Sequence, residues 1–138
     1  MTPPIVNLTV QGEPVSKGRP RVFHGHGVTP RETREAEQRI RLLYRSKYGM
    51  FSPYSCPVQV MLTFRMGTRR RKDWDNMAKL VTDALNGLAY EDDSQIVLAM
   101  VVKILPPVDR RKRGLWKPRT EITISPADLS AWQPGGTD

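Results

Sequence analysis

Three stretches of the chain alternate apolar and polar residues with the two-residue period of a half-buried β-strand. They are residues 5–11 (IVNLTVQ), 57–66 (PVQVMLTFRM) and 120–124 (TEITI). A fourth stretch, residues 95–105 (QIVLAMVVKIL), is apolar on both faces. This pattern predicts either a central strand of a sheet or a strand buried in a subunit interface. The inward positions predicted for the first two strands are Val6, Leu8 and Val10, and then Val58, Val60, Leu62 and Phe64.

Two other segments carry apolar residues at the three- and four-residue spacing of an amphipathic helix. The first covers residues 29–49 and begins with Thr29 and Glu32 at the spacing of a capping box. The second is predicted to run from Asp75, as the N-cap, to about Leu85, with an Asn-Gly pair ending it. The predicted buried stripes are Ala36, Ile40, Leu43 and Tyr44 in the first helix, and Met77, Leu80, Val81, Ala84, Leu85 and Leu88 in the second.

The segment between the first strand and the first helix, residues 12–30, is rich in glycine and proline and is predicted to be a long loop. The element order is therefore β-α-β-α-β-β, which is typical of an α+β fold. We expect one small domain over residues 1–125 and a flexible C-terminal tail over residues 126–138.

The net charge of the chain indicates the kind of partner that it binds. The 138 residues include 22 Lys and Arg against 14 Asp and Glu, which gives a net charge of +8. Such a charge favours a polyanionic partner, and nucleic acid is the first choice. The single cysteine, Cys56, excludes an intrachain disulfide and a cysteine-rich zinc site. No apolar run approaches the roughly 18 residues of a membrane span, and no signal-peptide pattern is present, so we expect a cytoplasmic, nucleoid-associated protein.

The acidic residues are concentrated in one part of the chain, because six of the 14 lie between positions 73 and 93. On a helix, Asp75, Lys79 and Asp83 share the polar face, and Asp73 comes just before it. The turn that follows, YEDDSQ over residues 90–95, could return its carboxylates towards that face. The same residues also fit a solvated turn and a surface ladder of i, i+4 ion pairs.

Carboxylates that converge raise each other's pKa unless a cation compensates them. A carboxylate-rich site without histidines suits Mg²⁺ or Mn²⁺, and such ions promote phosphodiester hydrolysis. The neighbouring basic run would then hold a polyanionic substrate against the acidic site, and Lys79 could stabilise charge in the transition state.

Residues 73–97, DWDNMAKLVTDALNGLAYEDDSQIV, resemble the core signature of the RusA family of Holliday junction resolvases. The upstream segments GEPVSKGRPRV and TPRETREAE resemble the N-terminal part of phage and prophage members. The resemblance covers most of residues 5–125 and implies a RusA-like nuclease domain with a mixed β-sheet and two main helices. It further implies a Mg²⁺-dependent endodeoxyribonuclease of DNA recombination and repair, with Mn²⁺ as a substitute. Such an enzyme binds four-way junctions as a homodimer and nicks two strands symmetrically.

The resemblance also implies roles for single residues. Asp73 and Asp75 match the paired metal-binding aspartates, Lys79 matches the essential lysine, and Asp93 matches the third catalytic and metal-binding carboxylate. Asp92 remains a rival for Asp93, because the turn before the acidic pair varies in length among relatives. Asp83 matches a recurrent position and is expected to support the helix.

Three groups of basic residues are predicted to bind DNA phosphates. The connection before the last strand could also insert Trp116 against exposed bases, or it could be a hairpin that only aids solubility. Trp74, between the paired aspartates, is predicted to pack. The three groups are Lys17, Arg19 and Arg21; Arg69, Arg70, Arg71 and Lys72; and Arg110, Arg111, Lys112, Arg113 and Lys117.

Two other functions stay open at this point. One is a nuclease that prefers forks or flaps, since spacing and composition do not specify a four-way junction. The other is a non-catalytic phage DNA-binding protein. The concentration of basic residues in loops, rather than along one recognition helix, argues against the second.

Overall fold

The computed structural model describes residues 1–18 and 30–132, together with the backbone of residues 21–23 and 26–28. The strands are β1 (Val6–Gln11), β2 (Arg21–Phe23), β3 (His26–Val28), β4 (Val58–Arg65), β5 (Ile96–Ile104) and β6 (Arg119–Pro126). The helices are α1 (Arg31–Tyr48), α2 (Trp74–Leu85) and the short α3 (Arg110–Arg113), with 3₁₀ turns at Asp93–Gln95 and Ser130–Trp132.

Four strands form one mixed sheet in the order β1-β6-β4-β5. β6 pairs antiparallel with both β1 and β4, whereas β5 pairs parallel with β4. The parallel pair is joined through α2, as a crossover connection requires. The predicted α+β fold with the order β-α-β-α-β-β is confirmed. The segment predicted as a long loop contains the separate β2–β3 hairpin, which the glycine-rich pattern did not indicate.

The hydrophobic core lies between one face of the sheet and helices α1 and α2. The alternating strand positions are buried as predicted, apart from a partly buried Val10. α1 buries a somewhat different stripe from the predicted one, because Leu43 is largely outside the core and Glu37 is inside it. The buried residues of α1 are Thr33, Glu37, Ile40, Tyr44 and Tyr48, and those of α2 are Met77, Leu80, Val81, Ala84 and Leu85.

Both predicted helix starts are wrong in detail. α2 begins at Trp74, so Asp73 rather than Asp75 takes the N-cap position, and its side chain makes no cap hydrogen bond. Pro30 takes the N-cap position of α1, also without a side-chain cap hydrogen bond, while Thr29 lies outside the described residues. The predicted end of α2 is confirmed, since Gly87 follows with a φ of 82°.

β5 lies at an edge of the sheet, so its prediction as a central strand is wrong. Apolar residues of this strand stay exposed, including Val97, Met100 and Val102. An exposed apolar edge strand is a template for pairing with another chain. The alternative prediction, a strand buried in a subunit interface, stays a prediction. None of the helices in the described ranges is both long and apolar enough to span a membrane.

The packing of α1 against the core can be tested by substituting a buried and an exposed residue of this helix. We expect Ile40→Ala to lower the free energy of unfolding by about 2–5 kcal/mol, because Ile40 is buried and its truncation leaves a cavity. The matched control is Leu42→Ala, which removes the same number of carbons from an exposed position and should cost less than about 0.5 kcal/mol. Urea unfolding followed by circular dichroism measures both, and equal losses would contradict the packing of α1.

Candidate active site

The first turn of α2 presents two carboxylates to solvent. Asp73 is exposed, and the Arg71 guanidinium lies 4.0 Å from its Oδ1. Asp75 is also exposed, and its Oδ1 accepts a hydrogen bond from the backbone N–H of Asn76 at 2.9 Å. The positive end of the helix dipole favours negative charge here. Both carboxylates therefore keep oxygen atoms available to a ligand.

The backbone around these aspartates is held in place by tertiary contacts. The Lys72 ammonium donates to the carbonyl of Pro14 at 2.7 Å, and the Lys103 ammonium donates to the carbonyl of Lys72 at 2.9 Å. The N–H of Lys17 donates to the carbonyl of Asn76 at 3.0 Å. The start of α2 is thus fixed both to the segment after β1 and to the end of β5.

Further along α2, Lys79 and Asp83 belong to a network of four charges. The Asp83 Oδ2 lies 2.7 Å from the Lys17 ammonium and 3.7 Å from the Lys79 ammonium. Lys17 also lies 3.2 Å from the Glu37 carboxylate, which is only 8% exposed. Asp83 therefore supports the site through ion pairs. Sequence reasoning missed Glu37, although a charged residue within the apolar stripe of α1 was a usable signal.

This network changes two ionisation equilibria. Burial by itself lowers the pKa of Lys17, but its hydrogen bonds and ion pairs with Asp83 and Glu37 outweigh burial and raise the pKa overall. Burial raises the pKa of Tyr90, and the charges of Asp93 and Asp83 raise it further. The Tyr90 hydroxyl donates to the carbonyl of Thr82 at 2.6 Å. Tyr90, the first residue of the 90–95 turn, therefore keeps a neutral hydroxyl group that is influenced by the charges of both Asp93 and Asp83.

The two neighbouring aspartates of the acidic turn have different environments. Asp92 caps the 3₁₀ turn, because its carboxylate accepts from the Ser94 N–H at 3.0 Å and Gln95 completes a capping box. Hydrogen bonds from the side chain and backbone of Ser94 hold the pKa of Asp92 below its ordinary value. Asp93 is exposed, and its carbonyl accepts from the Ile96 N–H, but its carboxylate accepts no hydrogen bond from the described residues. Of the two candidates for the third metal-binding carboxylate, Asp92 is engaged in capping the turn and Asp93 is not.

The predicted carboxylates do not come together within one chain. α2 runs antiparallel to β5, so Asp93 precedes β5 near the C-terminal end of α2, while Asp73 and Asp75 lie at the N-terminal end. A 12-residue helix is about 18 Å long. In the part of the chain that the structure describes, no group of three or more Asp, Glu, His or Cys side chains could hold a metal. The donor chemistry suits Mg²⁺, but among the described residues of one chain only the Asp73–Asp75 pair lies at this position.

Some of the basic residues predicted to bind DNA are held by contacts within the chain, and others have exposed side chains. Lys72 is tied to Pro14, and the guanidinium groups of Arg69 and Arg113 donate to the carbonyls of Pro106 and Pro107. Lys17 is engaged by two carboxylates, while Arg19 and the side chain of Arg21 lie outside the described residues. The exposed candidates outside these anchoring contacts are Arg70, Arg71, Arg110, Arg111, Lys112 and Lys117.

The structure holds Trp116 against the domain and leaves Trp74, which was predicted to pack, more than half exposed. The Trp116 indole N–H donates to the carbonyl of Met66 at 2.6 Å, and the Arg65 guanidinium lies 6.0 Å from the ring centroid. These contacts fix Trp116 to the domain instead of leaving it open for bases. Trp74 is 57% exposed and lies beside Ala99, Val101 and Lys103, so it does not pack into the core.

The family model for endodeoxyribonuclease RusA matches residues 11–125. The chain belongs to the RusA family. The matched range contains every predicted catalytic and DNA-binding residue, from Lys17 to Lys117. A curated relative, the uncharacterized protein YqaN of Bacillus subtilis (strain 168), is 31% identical in an alignment 143 positions long, and the alignment spans 86% of this chain and 94% of that protein. Membership of the RusA family supports DNA endonuclease activity for the chain.

The different environments of Asp92 and Asp93 can be tested by comparing the thermal stability of their alanine variants. We expect Asp92→Ala to lower the melting temperature more than Asp93→Ala, because only Asp92 caps the 3₁₀ turn. The folded-state pKa of Asp92 is depressed, so its contribution is present above its unfolded-state pKa and is lost as pH falls through its folded-state pKa. The difference between the variants should therefore close in acid. A difference that does not change with pH, or a larger effect at Asp93, would contradict the capping role.

Proposed function

We propose that this protein is a Mg²⁺-dependent, structure-selective endodeoxyribonuclease that resolves Holliday junctions by paired symmetric nicks. The observation that carries the proposal is the RusA family match across the segment that holds Asp73, Asp75, Lys79 and Asp93. The exposure of Asp73 and Asp75 on a firmly held helix start supports it. The preference for a four-way junction over a fork or flap rests on the family resemblance.

Each residue of the proposed site has a chemical role. Asp73, Asp75 and Asp93 would hold Mg²⁺, which supplies Lewis-acid polarisation and an activated water when bound. The Lys79 ammonium, which is 63% exposed, would neutralise the charge that develops on the phosphate or the leaving oxygen. Asp92 would hold the turn that presents Asp93. The exposed arginines next to Asp73 and on α3 would bind the backbone of the DNA.

A homodimer would complete this site. If two β5 edges pair antiparallel about a two-fold axis, the start of one β5 lies beside the end of the other. Asp93 of one copy then approaches Asp73 and Asp75 of the other, because those two lie near the end of their own β5. The exposed apolar residues of β5 support this arrangement. Two sites related by a two-fold axis suit two symmetric nicks.

Cleavage assays test the proposed activity. Labelled four-way junction, fork and duplex DNA are incubated with Mg²⁺ or EDTA, and we expect paired nicks in the junction with Mg²⁺. Asp75→Asn should abolish cleavage while junction binding in EDTA persists, and Lys79→Met should slow cleavage by about 10²–10³-fold. Glu35→Gln, which neutralises an exposed acid on α1, is the matched control and should cut normally.

Other outcomes of the same assay separate the alternatives. Preferred cutting of the fork would support the proposed active site but would make the fork, rather than the four-way junction, the substrate. Tight DNA binding without cleavage of any substrate would overturn the nuclease proposal in favour of a DNA-binding protein.

Mixing two inactive variants tests whether the site is shared. Asp75→Asn and Asp93→Asn are each expected to be inactive alone. In a mixed dimer with shared sites, one site carries both substitutions and the other carries neither, so co-refolded protein should nick one strand per junction. No recovery of cleavage, with mixed dimers verified by differential tagging, would show that each site uses residues of one copy.

A further inference from the structure

Two lysines from distant parts of the chain approach the same oxygen atom. Lys17 lies after β1, and Lys79 lies in the middle of α2. Both ammonium groups are directed at the Asp83 Oδ2, Lys17 at 2.7 Å and Lys79 at 3.7 Å. Only the first distance is that of a hydrogen bond, so the nearer lysine holds Asp83 and the farther one is attracted to it without being bound.

The surroundings of Lys17 hold it in this position. Its own N–H donates to the carbonyl of Asn76, and the N–H of Gly18 donates to the hydroxyl of Thr33, which is buried on α1. Its ammonium also contacts Glu37, a carboxylate that needs a counterion because it is almost fully buried. Lys17 therefore connects α1 to α2, and its side chain is 25% exposed against 63% for Lys79.

We propose that Lys17 is a positioning residue for Lys79. By occupying Asp83, it keeps the Lys79 ammonium exposed and able to reach a phosphate of the DNA. This inference rests on the proposed function, because it takes Lys79 as the residue that contacts the reacting phosphate. It differs from the expectation that Lys17 itself binds DNA.

The charges of the network explain the effect. Lys17 and Lys79 face Glu37 and Asp83, so the four side chains sum to zero. If Lys17 is lost, Asp83 keeps a full negative charge and Lys79 is the cation already within 4 Å of it. The attraction would close the remaining gap to a hydrogen bond and withdraw Lys79 from the phosphate.

A double-mutant cycle tests this coupling. Lys17→Met should slow single-turnover cleavage of the junction by about tenfold, within the range for coupled neighbours, with little change in junction affinity. In an Asp83→Asn background the same substitution should have much less effect, since the carboxylate that captures Lys79 is gone. Lys17→Arg should retain most of the rate.

Two outcomes would overturn the inference. One is an equal loss of rate in both backgrounds. The other is weaker junction binding by Lys17→Met, together with a slope of log K against log salt concentration that is shallower by about 0.9. That result would make Lys17 a phosphate-binding residue.

A chemical readout separates this inference from the proposed nuclease activity. The rate at which an amine-reactive reagent modifies Lys79, measured by peptide mass spectrometry against exposed Lys112, should fall in Lys17→Met and recover in Lys17→Met/Asp83→Asn. An unchanged rate overturns the inference even if the enzyme cleaves. A reduced rate in a protein whose wild type cleaves nothing supports the ion-pair competition and refutes the nuclease proposal.

The buried Glu37 requires a folding control. Lys17→Met leaves Glu37 without its cation, which could unfold the domain. The variant Lys17→Met/Glu37→Gln removes that charge and leaves Asp83 with Lys79 as its neighbouring cation. It should fold and still show slow cleavage and reduced Lys79 modification. Normal values of both in this variant would overturn the inference.

Discussion

The packing of α2 against the sheet is the constraint on which the rest of the structure depends. Met77, Leu80 and Ala84 bury one face of this helix in the core, which fixes its rotation about its own axis. The opposite face then has to carry the polar residues, with Asp75, Lys79 and Asp83 one turn apart. Rotation of the helix about its axis would turn these three groups together and separate Asp83 from Lys17, so the apolar stripe provides the rigidity that a catalytic arrangement needs.

Charge compensation is the second requirement, because acidic side chains next to one another would otherwise repel. The protein meets it differently at the two ends of α2. At the C-terminal end, Lys17 and Lys79 neutralise Asp83 and Glu37 within the chain. At the N-terminal end, Asp73 and Asp75 are exposed and the Arg71 guanidinium lies 4.0 Å from Asp73, so the proposed Mg²⁺ would add to the compensation there.

The sequence predicted local features well and long-range ones poorly. Alternating strands and the α2 stripe follow from the period of side chains around each element, so residues such as Leu62 and Leu80 were assigned correctly. The edge position of β5 depends on which strands pair, and an apolar run cannot reveal that. The roles of the paired aspartates and Lys79 come from the family resemblance and stay predictions. The separation of Asp93 from them follows from the antiparallel direction of α2 and β5, which spacing alone does not give.

The separation of the carboxylates and the exposure of β5 have one origin. A parallel β4–α2–β5 crossover makes the helix return along the sheet, so residues before α2 and residues before β5 must lie at opposite ends. The same crossover places β5 beside β4, and because β6 and β1 lie on the other side of β4, no described strand pairs with the outer edge of β5. A two-fold dimer through that edge would resolve both features at once, since it covers the apolar strand and reverses the direction of the partner. In such an arrangement a monomer would lack one of the three carboxylates of its site and could not cleave. Only the dimer would be active, and it would carry two sites to one junction.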